Sequence, residues 1–214
     1  MVTVTTTPSR TTLDQDRLRP YVPRLVVDWL RTSPEQTWRE VDGSLAFVDI
    51  SGFTTLTEKL SRHGRIGAEE ISDTLSSTFA ALLTVAYEDG AGLVKWGGDA
   101  VLLLFEGDHH AARAARAAFR MRQTMRRIGT IDTTAGKVTL RMSVGVHSGR
   151  FHFFFVGDPA LHRELLVSGP AASICAEVEG IATAGQIGLS PQTAAELAPS
   201  LSESTPQGIY LLTG

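Results

Sequence analysis

The chain has 214 residues, 43% of them hydrophobic and 20% charged, with a formal net charge of -3. That composition describes a folded domain with its own core and excludes a basic, sequence-independent grip on nucleic acid. One cysteine, Cys175, excludes an internal disulfide, and the absence of a long apolar run or an apolar leader predicts a cytoplasmic protein without a membrane partner.

In chain order, residues 1–12 are Thr-rich, low in complexity and predicted to be disordered. Residues 13–43 read as a helical extension and linker. Apolar residues recur at helical spacing from Leu18 to Leu30, Pro20 and Pro23 cut that stretch to one short helix, and Trp38 in the polar link is expected to pack. Residues 44–214 read as the main domain. Its first strand runs from Ser44 to Ile50, followed by a helix from about Ile66 to Glu88 that stops at Asp89-Gly90. "AGLVKWGGDAVLLLFEG" reads as a tight hairpin through Gly97-Gly98, and an Ala- and Arg-rich helix spans His109 to about Ile128. Val138 to Val146 alternates as a strand, with "FHFFFVG" as its expected partner, either as core or as an exposed flap. Then come a helix from Pro170 to Glu179, the strand "QIGLS", a helix from Pro191 and the strand "GIYLL". The order β-α-β-β-α-β predicts an α+β fold, a ferredoxin-like split βαβ with helices on one face of a mostly antiparallel sheet.

Within that order two acids stand out. Asp49 closes the first strand, and Asp99 sits at the hairpin tip, so a split βαβ sheet brings both to one edge. Carboxylates that close repel unless a cation lies between them, and hard divalent ions share such ligands with phosphates. Ile50, Ser51, Gly52, Phe53 and Thr54 form a glycine turn opening into a helix, whose unpaired N–H groups suit a phosphate. The Ile50 carbonyl is placed as a further metal ligand, and Arg150 is a candidate for a terminal phosphate. His109-His110 and the arginines from Arg113 to Arg127 read as solvated, and Cys175 as a small packed residue.

The stretches "FVDISGFTTLTE", "GLVKWGGDAVLLLF" and "LRMSVGVHSGR" resemble the class III nucleotidyl cyclase catalytic domain, in the family's order and over most of the chain from about Leu45 to Ser190. The lead-in "LRPYVPRLVVDWL…WREVDGSLAFVDISGF" looks like bacterial relatives of the soluble, bicarbonate-responsive adenylyl cyclase. The resemblance implies conversion of ATP, or GTP, to a 3′,5′-cyclic nucleotide and pyrophosphate with two Mg²⁺ or Mn²⁺ ions. It implies Asp49, Asp99 and the Ile50 carbonyl as metal ligands, Ile50 to Thr54 as the phosphate turn and Arg150 near the polyphosphate. It also implies a site shared between two cyclase domains. Here the sequence departs from the family: Lys95 stands where a base-reading lysine belongs, but Leu166 replaces the purine-selecting acid, Ser173 the asparagine and Glu177 the arginine. The expectation is therefore a metal-bearing half, completed by a second cyclase domain, with Lys95 facing a second cleft able to take bicarbonate. Two other readings remain: a regulatory, non-catalytic module, and a diguanylate cyclase, in which Ala100 would occupy the place of the second acid.

Overall fold

A computed structural model describes residues 21–213; the stretch expected to be disordered, residues 1–12, lies outside them. In chain order the elements are α1 (Arg24–Thr32), β1 (Trp38–Ser51), α2 (Phe53–Ser61), α3 (Gly64–Glu88), β2 (Gly92–Gly97), β3 (Ala100–Glu106) and α4 (His110–Ile128). They continue with β4 (Thr130–Thr133), β5 (Gly136–Thr139), β6 (Arg141–Asp158), β7 (His162–Ser168), α5 (Pro170–Ile181), β8 (Ile187–Leu189), α6 (Pro191–Ala195), β9 (Ser202–Ser204) and β10 (Tyr210–Leu212). The main sheet runs β2-β3-β1-β6-β8-β10-β9, with β7 also paired to β6, and every pairing in it is antiparallel except β6 with β8. The first four strands of that order are the split βαβ arrangement expected from the sequence. The neighbour of β1 is the second hairpin strand, β3.

Strand alternation divides the core in two. Ala46, Val48 and Ile50 of β1, with Met142, Val144 and Val146 of β6, pack under α2, α3 and α4. Ala114, Ala117 and Ala118 are fully buried in that layer, and their small side chains let α4 lie close to the strands. Val41 and Leu45, with Phe151, Phe153 and Phe155, form the second layer under α1 and Cys175 of α5. Helices thus cover both faces, not one as the sequence suggested, because α5 returns across the opposite side. Gly145 permits this: a Cβ there would lie 2.3 Å from the Glu179 nitrogen and 2.7 Å from the Cys175 carbonyl oxygen. Burial pushes the Cys175 thiol up to about 12, which keeps it protonated.

Several local expectations change. "FHFFFVG" is the continuation of β6 itself, and its alternating phenylalanines are core, while its partners are β1 and β7. Trp38 opens β1, inside the segment read as a linker, and is 52% exposed. His110 is half-buried and shares a hydrogen bond with Ser44, which also bonds Ser148. The arginine face of α4 is partly structural: Arg116 Nε lies 2.6 Å and Arg120 Nη1 3.2 Å from the buried carboxylate of Asp89, and Arg122 is itself buried. Asp89 ends α3, so these pairs tie its C-terminus to α4. Asp89→Asn is expected to lower unfolding stability by about 1–3 kcal/mol, the cost of weakening charged hydrogen bonds at a buried acceptor. Urea denaturation measures it.

Candidate active site

Asp49 is the third residue from the end of β1, and the β1–β3 register sets it opposite Ala100, the neighbour of Asp99. The hairpin closes through Gly98 and Asp99, with Gly98 at φ 69, a conformation glycine adopts at no steric cost. The Ile50 amide donates to the Asp99 carbonyl oxygen at 3.2 Å, which fastens the hairpin tip to the end of β1. Burial first, and then the charge of Asp99, hold the Asp49 carboxyl above its ordinary value. The two acids expected to meet do so.

The glycine turn follows directly. Gly52 has φ 95 and caps α2 from outside, and among the described residues no side chain bonds the N–H groups of that helix's first turn. Those groups are thus available to an anion at the positive end of the helix dipole. A Cβ on Gly52 would also lie 2.8 Å from the Thr139 carbonyl oxygen. Ser51 and Phe53 are half-buried, Thr54 is exposed beside them, and Ile50 is buried in the core. Gly52→Ala is therefore expected to cost both strain and close contact, about 1–3 kcal/mol. Nucleotide binding should weaken more than tenfold, as a titration of a fluorescent nucleotide analogue would show.

Arg150 is elsewhere. It pairs with Asp42 across β1–β6, roughly seven residues or about 23 Å along β1 from Asp49, and strand alternation turns it to the opposite face. There it is exposed and bridges Asp42 at 3.2 Å and Glu40 at 3.7 Å, which raise its guanidinium above the usual value. The arginine at the Asp49 end is Arg141, directly opposite Ser51 and on the face of Asp49. Reading β6 backwards from Asp49's partner Ser143 in steps of two would have found it.

A third carboxylate was also missed. Ser143 Oγ donates to Glu179 Oε1 at 2.9 Å, and burial together with the Asp49 charge raises the Glu179 carboxyl. Glu179 comes from α5, so only the packing over Gly145 brings it here. Among the described residues no three His, Cys, Asp or Glu side chains form a ready-made metal cage. Two acids with room for substrate oxygens fit Mg²⁺ or Mn²⁺, which keep several non-protein ligands, better than a closed site would.

Lys95 is exposed on β2, and its Nζ lies 2.7 Å from Glu164 Oε1 on β7, an ion pair that lowers the glutamate's pKa. Leu166, two positions further along β7, is 38% exposed. Ser173 and Glu177 are exposed one turn apart on α5.

Residues 36–214 match the Adenylate and Guanylate cyclase catalytic domain family. The chain belongs to this family. This cyclase domain is 28% identical over 180 residues to adenylate cyclase type 10 of Homo sapiens, covering 82% of the chain and 11% of that protein. Against the membrane guanylyl cyclase of Dictyostelium discoideum it is 27% identical over 167 residues, covering 75% of the chain and 10% of that protein. The domain thus spans about a tenth of the curated relatives it matches. Among solved structures, the guanylate cyclase domain of RhGC from Catenaria anguillulae in complex with GTP shares the fold, with TM-score 0.67, 21% identity and coverage of 82% of this chain and 98% of that one. The adenylyl cyclase CyaB from P. aeruginosa gives TM-score 0.66 at 20% identity, covering 84% and 97%. Among the described residues no helix is long and apolar enough to cross a membrane.

Proposed function

We propose that this cyclase domain is the metal-bearing half of an active site that converts ATP to 3′,5′-cyclic AMP and pyrophosphate, completed by a second, different cyclase domain. The observation that carries this reading is the convergence of Asp49 and Asp99 beside the uncapped start of α2. Asp49, Asp99 and the Ile50 carbonyl would hold the metal, two ions by family resemblance. Bound divalent ions supply charge neutralisation and Lewis acidity at the reacting oxygens. The turn from Ile50 to Thr54 binds phosphate oxygens through its N–H groups, and Arg141 adds positive charge at the same edge. In the reaction the ribose 3′-oxygen forms a bond to the α-phosphorus, the bond from that phosphorus to the pyrophosphate oxygen breaks, and the hydroxyl proton passes to water. Exposed Ser173 and Glu177 support a heterologous partner, since a glutamate facing phosphate is repulsive. The Lys95–Glu164 pair would close the second cleft unless an anion such as bicarbonate displaced the glutamate.

Cyclic nucleotide formation with Mn²⁺, by the chain alone and mixed with a domain carrying the Asn and Arg, tests this. Little product alone and at least about a tenfold gain on mixing are expected, a loss of 1.4 kcal/mol or more in the barrier. Robust activity of the isolated chain that survives Asp49→Ala would overturn both the site and its half-site character.

A further inference from the structure

Asp49 lies on the same side of β1 as Val41 and Leu45, the side that packs against α5. Its register partner on β6 is Ser143, so the two side chains share that side, and Glu179 of α5 reaches Ser143 there. Two contacts fix the Glu179 carboxylate. Its backbone lies so close to β6 that a Cβ on Gly145 would sit 2.3 Å from the Glu179 nitrogen and 2.7 Å from its Cα. Its Oε1 then accepts the Ser143 hydroxyl at 2.9 Å.

The fold provides no counter-charge here. At the end of α3 the buried carboxylate of Asp89 meets Arg116 and Arg120. Glu179 is half-buried, and among the described residues no lysine, arginine or histidine pairs with it. The charge it feels is that of another acid: burial first, and then Asp49, push its carboxyl up against the pull of the Ser143 bond. That bond does not account for a charge at this position, because a glutamine would accept it equally well. A cation beside Asp49 does account for it. Coulomb energy falls only as the inverse of distance, so a charge felt by Asp49 is felt by a neighbouring divalent ion with opposite sign and twice the weight. Among the described residues no three acids close into a cage. Glu179 therefore acts through its field and not as a ligand.

We propose that Glu179 is a positioning residue for the cation, an anionic charge held against β6 that tightens the grip of Asp49 and Asp99 on a divalent ion without touching it. The inference deepens the metal-bearing site proposed above and rests on it. Glutamine at this position keeps the size and the acceptor for Ser143 and removes only the charge, whereas Ser143→Ala removes the hydrogen bond and keeps the charge.

The test is titration of the full chain with Mn²⁺, the free ion being read by electron paramagnetic resonance, together with melting in EDTA. Glu179→Gln is expected to weaken Mn²⁺ binding at least about threefold and to melt no lower than wild type, since the repulsion of Asp49 is gone. Ser143→Ala is expected to hold Mn²⁺ within about twofold of wild type, because the packing over Gly145 still places the carboxylate. Unchanged Mn²⁺ binding in Glu179→Gln, lower melting of that variant in EDTA, or a threefold loss in Ser143→Ala would each overturn the inference and make Glu179 a tie between α5 and β6. Should Glu179→Gln not fold, Glu179→Ala reads the same charge, and failure of both to fold overturns the inference as well. Asp49→Asn separates the two levels. Mn²⁺ binding that is lost in Asp49→Asn and intact in Glu179→Gln sinks this inference alone. A wild type that binds no Mn²⁺, or binding that survives Asp49→Asn, sinks the proposed function with it.

Discussion

Asp49→Asn is expected to lower cyclic nucleotide formation, measured with a complementary domain and Mn²⁺, by at least about a hundredfold while making the metal-free protein more stable. The loss follows from removing one of the two carboxylates proposed as metal ligands, a change of the size seen when one preorganised electrostatic group is lost at a transition state. The gain follows from the shift on Asp49. Its carboxyl is raised in the folded state by burial and by Asp99. The folded chain therefore binds a proton that the unfolded chain has already released, and stability falls as pH rises from the ordinary carboxylate range through the raised value. Above that window the ionised pair is a standing cost to the empty site, to which Glu179 adds. Neutralising Asp49 should raise the melting temperature at neutral pH by roughly 2–4 °C, the shift that about 1 kcal/mol produces in a domain of this size. Mn²⁺ should raise the melting temperature of the wild type and leave that of the variant unchanged. A variant that melts lower than wild type in EDTA, or that is still stabilised by Mn²⁺, would show that Asp49 serves the fold and not the ion.

This opposition between stability and function explains which parts of the site could be read from sequence. Asp49 and Asp99 interrupt apolar runs at element ends, so local patterning exposed them, and the split βαβ topology brought them together. Gly52 was legible for the same reason, since a glycine between a strand and a helix marks a left-handed turn. Glu179 was not, because its place depends on α5 crossing β6 over Gly145, a contact between segments that no local period encodes. Arg150 misled because "HSGR" looks like a strand end. Strand β6 runs on to Asp158, and its length sets Arg150 opposite Asp42 at the far end of β1. The long strand also explains "FHFFFVG", whose aromatic alternation is the second half of one strand facing α1. Trp29 packs against Phe155 there, with ring centroids 4.4 Å apart. Composition and period found the elements; how far each continues depended on partners remote in the chain.

Converting Ser173 to Asn together with Glu177 to Arg is expected to turn the isolated chain into an active homodimer, with cyclic nucleotide formation rising at least about a hundredfold over the unmodified chain. Both positions are exposed on one face of α5, and among the described residues their side chains make no hydrogen bond or ion pair, so the exchange should leave the fold intact. The gain has two parts. The new arginine can stabilise charge on the transferring phosphoryl group, an effect worth a hundredfold or more where such a group is preorganised. Removing the glutamate ends its repulsion of the same phosphates. In a homodimer Asp49 and Asp99 of one copy would meet Asn and Arg of the other. Activity should therefore rise with the square of protein concentration at low concentration, and an equimolar mixture with a copy that also carries Asp49→Asn should keep about half of the sites, both in each intact pair and one in each mixed pair. Because Leu166 would still stand where a purine-selecting acid belongs, product should form from both ATP and GTP with little preference. A folded double variant that stays silent at high concentration, while the wild type responds to a complementary domain, would mean that copies of this chain do not adopt the paired arrangement. The restriction to a different partner would then lie in the interface and not in these two side chains.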